Sequence, residues 1–259
     1  MADPVPLPNP AQTRPVPPKR VDKSPRQKAV RPRLAATLIL LAGPEADPHI
    51  LMGQRSAGHS FMPGVYVFPG GRVERADSFA PFTGELSART EAILTQAMTP
   101  RRARACVLAG IRETFEETGL RVAKPRTAKL NALRNAEWKA FVGNDDDEDG
   151  WLPDVGGIEV MGRAVTPPYR HKRFDTWFFV KRLGKSIPHV EVGDSAELEH
   201  VGWHGLHAIA ELKTHAMTDY MLQALARYLE NGAKESVPYH RMVRGVFVSG
   251  AFPGGVSKK

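Results

Sequence analysis

The sequence predicts an α/β (α+β) protein, a mixed β-sheet with helices on its faces. Three observations carry this expectation. Apolar runs of strand length and longer amphipathic runs mix along the chain without strict alternation. One segment, 100–118, has both the start and the stop signals of a long helix. Charge is concentrated at the ends: residues 1–33 hold eight Lys or Arg against two Asp, Lys258 and Lys259 add two more, and 34–257 sum to zero. A neutral middle in a chain that is 42% apolar is suited to one packed domain.

The elements follow in order. Residues 1–33 contain nine of the 22 prolines, so they are expected to be a disordered basic tail unable to form the amphipathic helix of a mitochondrial presequence. "LAATLILL" (34–41) and "HILMGQR" (49–55) read as a strand pair joined by a turn. "GVYVFPGGRVERAD" (64–77) starts as a strand and breaks at a sharp Pro69-Gly70-Gly71 loop, and 84–98 reads as a helix. Thr99 is the expected N-cap and Pro100 the first residue of the helix that ends at Gly119, with Val107, Ile111 and Phe115 as its buried stripe. Residues 129–142 suggest a further helix and 144–150 a solvated acidic loop. Strands are expected at 158–167, 173–183 and 200–204, and helices at 206–213 and 217–231. The domain is expected to span 34–250, with a carboxyl tail over 251–259.

Composition narrows the function. The longest apolar run, 34–43, is about half the length of a membrane-spanning helix, so no span is expected. The single cysteine, Cys106, rules out an internal disulfide or a multi-cysteine metal site and is expected to be a buried spectator. A cytoplasmic setting fits, and with the basicity confined to the tails no specific nucleic-acid partner is expected.

The chemistry lies in "IRETFEETGL" (111–120). Glu113, Glu116 and Glu117 share one helical face, within roughly a 100° arc. Like charges so placed destabilise an isolated helix by roughly 0.2–0.5 kcal/mol per pair. A hard cation such as Mg²⁺ or Mn²⁺ would reward the crowding, because it takes oxygen ligands and binds through a few carboxylates plus substrate phosphates. Arg112 is placed to orient a carboxylate, Ala109 and Gly110 leave that face without bulk, and the paired glycines Gly70 and Gly71 permit close approach.

With these residues the sequence resembles the Nudix hydrolases, whose motif runs from a glycine to a glutamate and then to R-E-U-x-E-E-x-G-U, where U is usually bulky and apolar. "RETFEETGL" (112–120) matches the second half apart from Thr114 at the first U; Gly71 starts the first half, and Asp77 stands at its glutamate position. Between Asp77 and Arg112 lie 34 residues where the motif has seven, an insertion placed at about 78–104. "LMGQRSAGHSFMPGVYVFPGG" (51–71) and "TPPYRHKRFDTWFF" (166–179) look most like the peroxisomal coenzyme A diphosphatase branch and its bacterial relatives.

The resemblance implies an α/β/α sandwich and a metal-dependent hydrolase that cleaves a nucleoside diphosphate linked to X. The small-molecule partner would be coenzyme A or an acyl derivative, or alternatively ADP-ribose, NADH or a nucleotide sugar. A non-catalytic nucleotide-binding regulator is the reading from another class. Glu113, Glu116 and Glu117 would hold Mg²⁺ or Mn²⁺ with a backbone carbonyl of Gly70 or Gly71, and Arg112 would orient them. Glu117 and Glu197 are the candidate general bases. Arg55, Arg173 and Phe61 are the candidate substrate contacts. Oligomeric state is left open, a homodimer included.

Overall fold

The structure is a computed structural model that describes residues 30–58, 63–130, 133–143, 150–184, 192–234, 236–243 and 246–253. Most of the expected basic tail, Phe61 and the acidic run 144–149 lie outside the described residues. In chain order the elements are β1 (Arg33–Ala42), β2 (His49–Arg55), β3 (Tyr66–Val67), β4 (Gly70–Arg72), a 3-10 turn (Ala76–Ser78), α1 (Ala88–Thr95) and α2 (Pro100–Thr118). They continue with β5 (Ala123–Arg126), α3 (Ala136–Val142), β6 (Gly150–Pro153), β7 (Glu159–Val165), β8 (Phe174–Arg182) and β9 (Leu198–Gly205). The chain then forms α4 (Leu206–Ala210), α5 (Ala216–Asn231), β10 (Val237–Val243) and β11 (Val246–Phe252).

The sheet is mixed, as expected. Its strand order is β11-β10-β7-β8-β1-β2-β3, with β4 added to β1 and β9 to β2. β1 pairs parallel with β8 and β10 with β7, while the other ladders are antiparallel. The central strand β1 is buried on both faces, and its alternation divides the core. Ala36, Leu38 and Leu40 point into one apolar cluster with residues of α1, α2 and α3. Ile39 and Leu41 point into a second cluster with residues of α4 and α5. Helices therefore cover both faces of the sheet. Cys106 is fully buried and unpaired, as expected.

Local readings diverge where tertiary contacts decide. α2 spans the expected residues and Gly119 stops it at φ 75°, but the Thr99 side chain makes no cap bond. Ser87 does cap α1, its side chain accepting from the Thr90 N–H. Phe115 is only half-buried, edge-on to Phe141 at 5.3 Å. The expected Pro69-Gly70-Gly71 loop is a bend followed by the short strand β4, which pairs Gly70 with Thr37 and Gly71 with Ala36. The ribbon β5–β6 and the hairpin β10–β11 had no clear signal, and β11 carries the sheet to Phe252, past the expected limit at 250.

The insertion does not simply loop out. Its last residues, from Pro100, lengthen α2 at the amino-terminal end. The rest is stitched to the sheet: Arg89 Nη1 donates to Glu159 Oε2 at 2.8 Å, and Thr90 Oγ1 bonds the same carboxylate at 3.0 Å. Ile93 and Leu94 enter the core. Thr83 forms a bridge with Asp154, its N–H donating to the Pro153 carbonyl at 2.9 Å. These contacts allow the glycine bend to meet α2 despite the long excursion.

The glycines at this junction are not equivalent. A Cβ on Gly70 would lie 2.5 Å from the Ala36 carbonyl oxygen and 2.7 Å from Thr37 Cα, both backbone atoms. A Cβ on Gly110 would sit 3.5 Å from Leu38 Cβ and 3.6 Å from Ala36 Cβ, ordinary contact distances. Bareness at Gly110 is therefore not what brings the chains together. Gly70→Ala should destabilise the protein by about 1–3 kcal/mol through overpacking. Gly110→Ala should be neutral or stabilising by up to about 1 kcal/mol through helix propensity. Urea unfolding of the two variants checks the contrast.

Candidate active site

The last two turns of α2 present the glutamates, and β4 crosses in front of them. Glu117 is 7% exposed and its Oε2 accepts the Gly70 N–H at 2.8 Å. A Cβ on Gly71 would displace the Glu113 carboxylate from its present place, so this second glycine leaves room for that carboxylate against the backbone. The diglycine thus presses backbone onto two carboxylates at once.

Arg112 ties the cluster together from behind. Its Nε donates to Asp77 Oδ1 at 2.9 Å and its Nη2 to Asp77 Oδ2 at 3.3 Å and to the Arg72 carbonyl at 2.9 Å. Nη1 meets Glu113 Oε1 at 3.0 Å and both Glu116 oxygens at 3.1 Å. Asp77 is fully buried and further accepts the Glu74 N–H at 2.7 Å and Trp138 Nε1 at 3.1 Å. The shorter acid at the motif's glutamate position is therefore structural: it fixes Arg112. Trp138 comes from α3, and no motif in the sequence pointed to it.

The electrostatics favour added positive charge. Burial pushes the Glu113 carboxyl up to about 7, with Arg112 opposing and Glu116 and Glu197 adding repulsion. Burial also raises Glu116, again against Arg112. Glu117 is raised well above the ordinary carboxylate value by burial, which outweighs the Gly70 hydrogen bond, and Glu113 and Glu197 push it further. For Arg112, burial alone would lower the pKa, but the bond to Asp77 and the charges of Asp77, Glu113 and Glu116 raise it. Arg55 is lowered by burial, with Glu117 and Glu197 acting in the opposite direction. Five carboxylates, Asp77 included, are thus set against the two guanidinium groups of Arg112 and Arg55.

Most of the expected site residues come together. Arg55, Gly70, Gly71, Arg112, Glu113, Glu116, Glu117 and Glu197 share one neighbourhood, Glu197 joining because the Ser56 N–H donates to its carbonyl at 3.0 Å. Beside the glutamates, a cavity of about 530 Å³ runs between the end of α2 and Val192, Gly193 and Asp194. Arg173 is used elsewhere: its guanidinium donates to the Thr166 carbonyl at 3.0 Å and the Val30 carbonyl at 2.6 Å, bracing the β7–β8 turn. Phe61 lies outside the described residues. Trp177 and Phe178 are core, and Trp203 is partly buried.

Among the described residues, no three or more His, Cys, Asp or Glu side chains converge as a ready metal cage. Glu113 and Glu116 are turned to Arg112, and Glu117 to Gly70. The donor set nevertheless suits a hard divalent ion, because its groups are all oxygens, carry excess negative charge and lie beside an open cavity. Such ions take a few carboxylates and complete their shell with water and phosphate.

Two outcomes follow. Asp77→Ala should cost about 3–5 kcal/mol in urea unfolding, since it leaves the buried Arg112 charge without its main partner. Carboxyls raised in the folded state stabilise it most below their unfolded value of 4.5, and for Glu113 that contribution is lost as pH rises through about 7. Thermal melts in EDTA should therefore show wild type losing stability relative to Glu113→Gln across that window. Parallel profiles would contradict the assigned shift.

No protein-family model matches the chain. Acyl-coenzyme A diphosphatase NUDT19 of Gallus gallus is 28% identical over 228 residues, covering 66% of this chain and 60% of the relative. The chain thus spans about 60% of the length of that curated relative. Among solved structures, a NUDIX hydrolase from Alicyclobacillus acidocaldarius matches with a TM-score of 0.56 and 23% identity, over 79% of this chain and 98% of that one. The likeness shows the fold, in which the diglycine bend, Arg112 and the three glutamates take up one compact arrangement. The chain thus has the fold of a NUDIX hydrolase and is similar in sequence to an acyl-coenzyme A diphosphatase.

Proposed function

We infer that the protein is a divalent-metal-dependent hydrolase of diphosphate linkages, with coenzyme A or an acyl-coenzyme A as the substrate. One observation carries the reaction class: three glutamates with raised proton affinity are gathered at one point, Glu113 and Glu117 against the Gly70–Gly71 backbone and Glu113 and Glu116 on one buried arginine. A cluster serving only as a solvated acidic stripe would have no need of that burial. The similarity to acyl-coenzyme A diphosphatase and the 51–71 segment support the choice of substrate.

Glu113, Glu116 and Glu117 would hold Mg²⁺ or Mn²⁺, with a carbonyl of Gly70 or Gly71 as an added ligand. When bound, the ion supplies charge neutralisation at the phosphate oxygens and lowers the pKa of an attacking water. Arg112 keeps Glu113 and Glu116 in place and screens their repulsion. Arg55, beside Glu117 and Glu197, is the cation for a substrate phosphate, since guanidinium matches phosphate oxygens. Glu197, exposed and at the rim of the cluster, serves as the base that takes a proton from water.

A panel of diphosphates assayed with Mg²⁺ or Mn²⁺ tests the reading. Release of 3′,5′-ADP and a 4′-phosphopantetheine fragment is the expected result. Turnover of ADP-ribose, NADH or a nucleotide sugar alone would move the substrate class, and binding without turnover would make the chain a regulator. Glu116→Gln should lower turnover by at least about 100-fold with an unchanged melting profile; near-wild-type turnover would remove it from the site.

A further inference from the structure

A groove at the amino-terminal end of α2 gathers positive charge for which the diphosphatase reading has no use. It encloses about 670 Å³ and is lined by Arg33, Arg72, Arg75, Arg101 and Arg102, with Glu74 as the acidic residue on its wall. Since residues 34–257 sum to zero, this is local accumulation rather than general basicity.

The arginines are held in place more than they are neutralised. Arg101 lies over the Phe79 ring, 4.4 Å from its centroid, and its Nε donates to the Ser78 carbonyl at 3.4 Å. Arg75 approaches the same ring at 6.0 Å. Phe79 is itself 61% exposed, so it serves as a surface ring against which two guanidinium groups rest rather than as a core residue. Arg72 is 3.9 Å from Glu74, with both side chains about half in water, a weak pair. The Arg33 and Arg102 side chains make no hydrogen bond or ion pair with another described residue.

The position makes this crowding costly without an anion. Arg101 and Arg102 stand in the first turn of α2, where the helix dipole is already positive; that turn contains no acid, and Thr99 does not cap it. A helix start selected for stability alone would carry Asp or Glu there.

We propose that this groove is a second anion site, separate from the glutamate cluster, that binds the phosphate groups of a small phosphorylated molecule. Guanidinium forks match phosphate oxygens, and the volume falls in the range of small-molecule sites. The site is wired to the glutamates through backbone. The Arg72 carbonyl accepts Arg112 Nη2 at 2.9 Å, and the Glu74 N–H donates to Asp77 Oδ2 at 2.7 Å. Along α2, Arg102 is roughly 16 Å from Glu113 at 1.5 Å per residue. The phosphate belongs either to a distant part of the hydrolysed molecule or to a separate effector.

The test is calorimetric titration of the full chain with inorganic pyrophosphate, in EDTA at low salt. Wild type and Glu116→Gln should bind alike, with affinity falling as salt rises. The Arg101→Ala/Arg102→Ala double variant should bind at least about tenfold more weakly. Both arginines are exposed, so its melting profile should match wild type. Absence of binding at millimolar pyrophosphate, equal binding by the double variant, or loss of binding in Glu116→Gln would each overturn the proposal. None of these readouts depends on turnover, so failure of the hydrolase reading is seen separately. Kinetics on diphosphate substrates with and without an extra phosphate monoester then identify the source. A KM increase in the double variant confined to the phosphorylated substrate assigns the groove to substrate. Pyrophosphate altering turnover of both substrates in wild type alone assigns it to an effector. No change in either arm would overturn the site as a functional one.

Discussion

The buried guanidinium of Arg112 is the constraint on which the rest of the site depends. Removing an arginine from water costs several kcal/mol unless every donor finds an acceptor. Here all five N–H groups have one: Asp77 takes two, and the Arg72 carbonyl, Glu113 and Glu116 take the others. That requirement brings the 3-10 turn, β4 and the end of α2 to one point, and Trp138 on α3 closes the far side of Asp77. Each of these elements lies distant in sequence from at least one of the others, so the pair Arg112–Asp77 holds topology as well as charge.

The same network explains how a long insertion is tolerated. Asp77 and Arg112 are separated by 34 residues, yet their side chains meet at 2.9 Å. α1 docks on β7 through Arg89 and Thr90, and the lengthened start of α2 returns the chain in register. The return path brings Arg101 and Arg102 to a groove shared with Arg72 and Arg75, so the insertion helps shape a basic groove at Arg72 of β4 while the glutamates meet the same strand at Gly70 and Gly71. Negative and positive concentrations of charge are thus built on one short strand. A strand three residues long can do this because its backbone is bonded to β1, to Glu117 and to Arg112.

Much of the site was legible in the linear pattern, because helical periodicity alone fixes which residues share a face. Spacing aligned Glu113, Glu116 and Glu117, and the cap signals Pro100 and Gly119 bounded their helix. The strands β1, β2, β7 and β8 were equally legible, being long apolar runs between turn residues. The ribbon β5–β6 was hidden: "AKPR" and "GWLP" are short, contain Pro and Gly or Lys, and have little strand propensity beyond Trp151, so they pair because a partner lies alongside. Arg173 shows the converse error, a charge beside a plausible motif that the fold uses on carbonyls of the β7–β8 turn and the chain before β1.

The sequence by itself determined which carboxylates share one helical face and where the chain bends at a diglycine, since residue types and helical spacing do not depend on distant contacts. Tertiary structure alone decided what those groups face. It buried Glu117 under Gly70, locked Arg112 on Asp77, and set Glu197 near the cluster across the β2–β9 edge. Proton affinity and orientation arise from desolvation and from neighbours brought in by folding, and neither is encoded in any one local stretch.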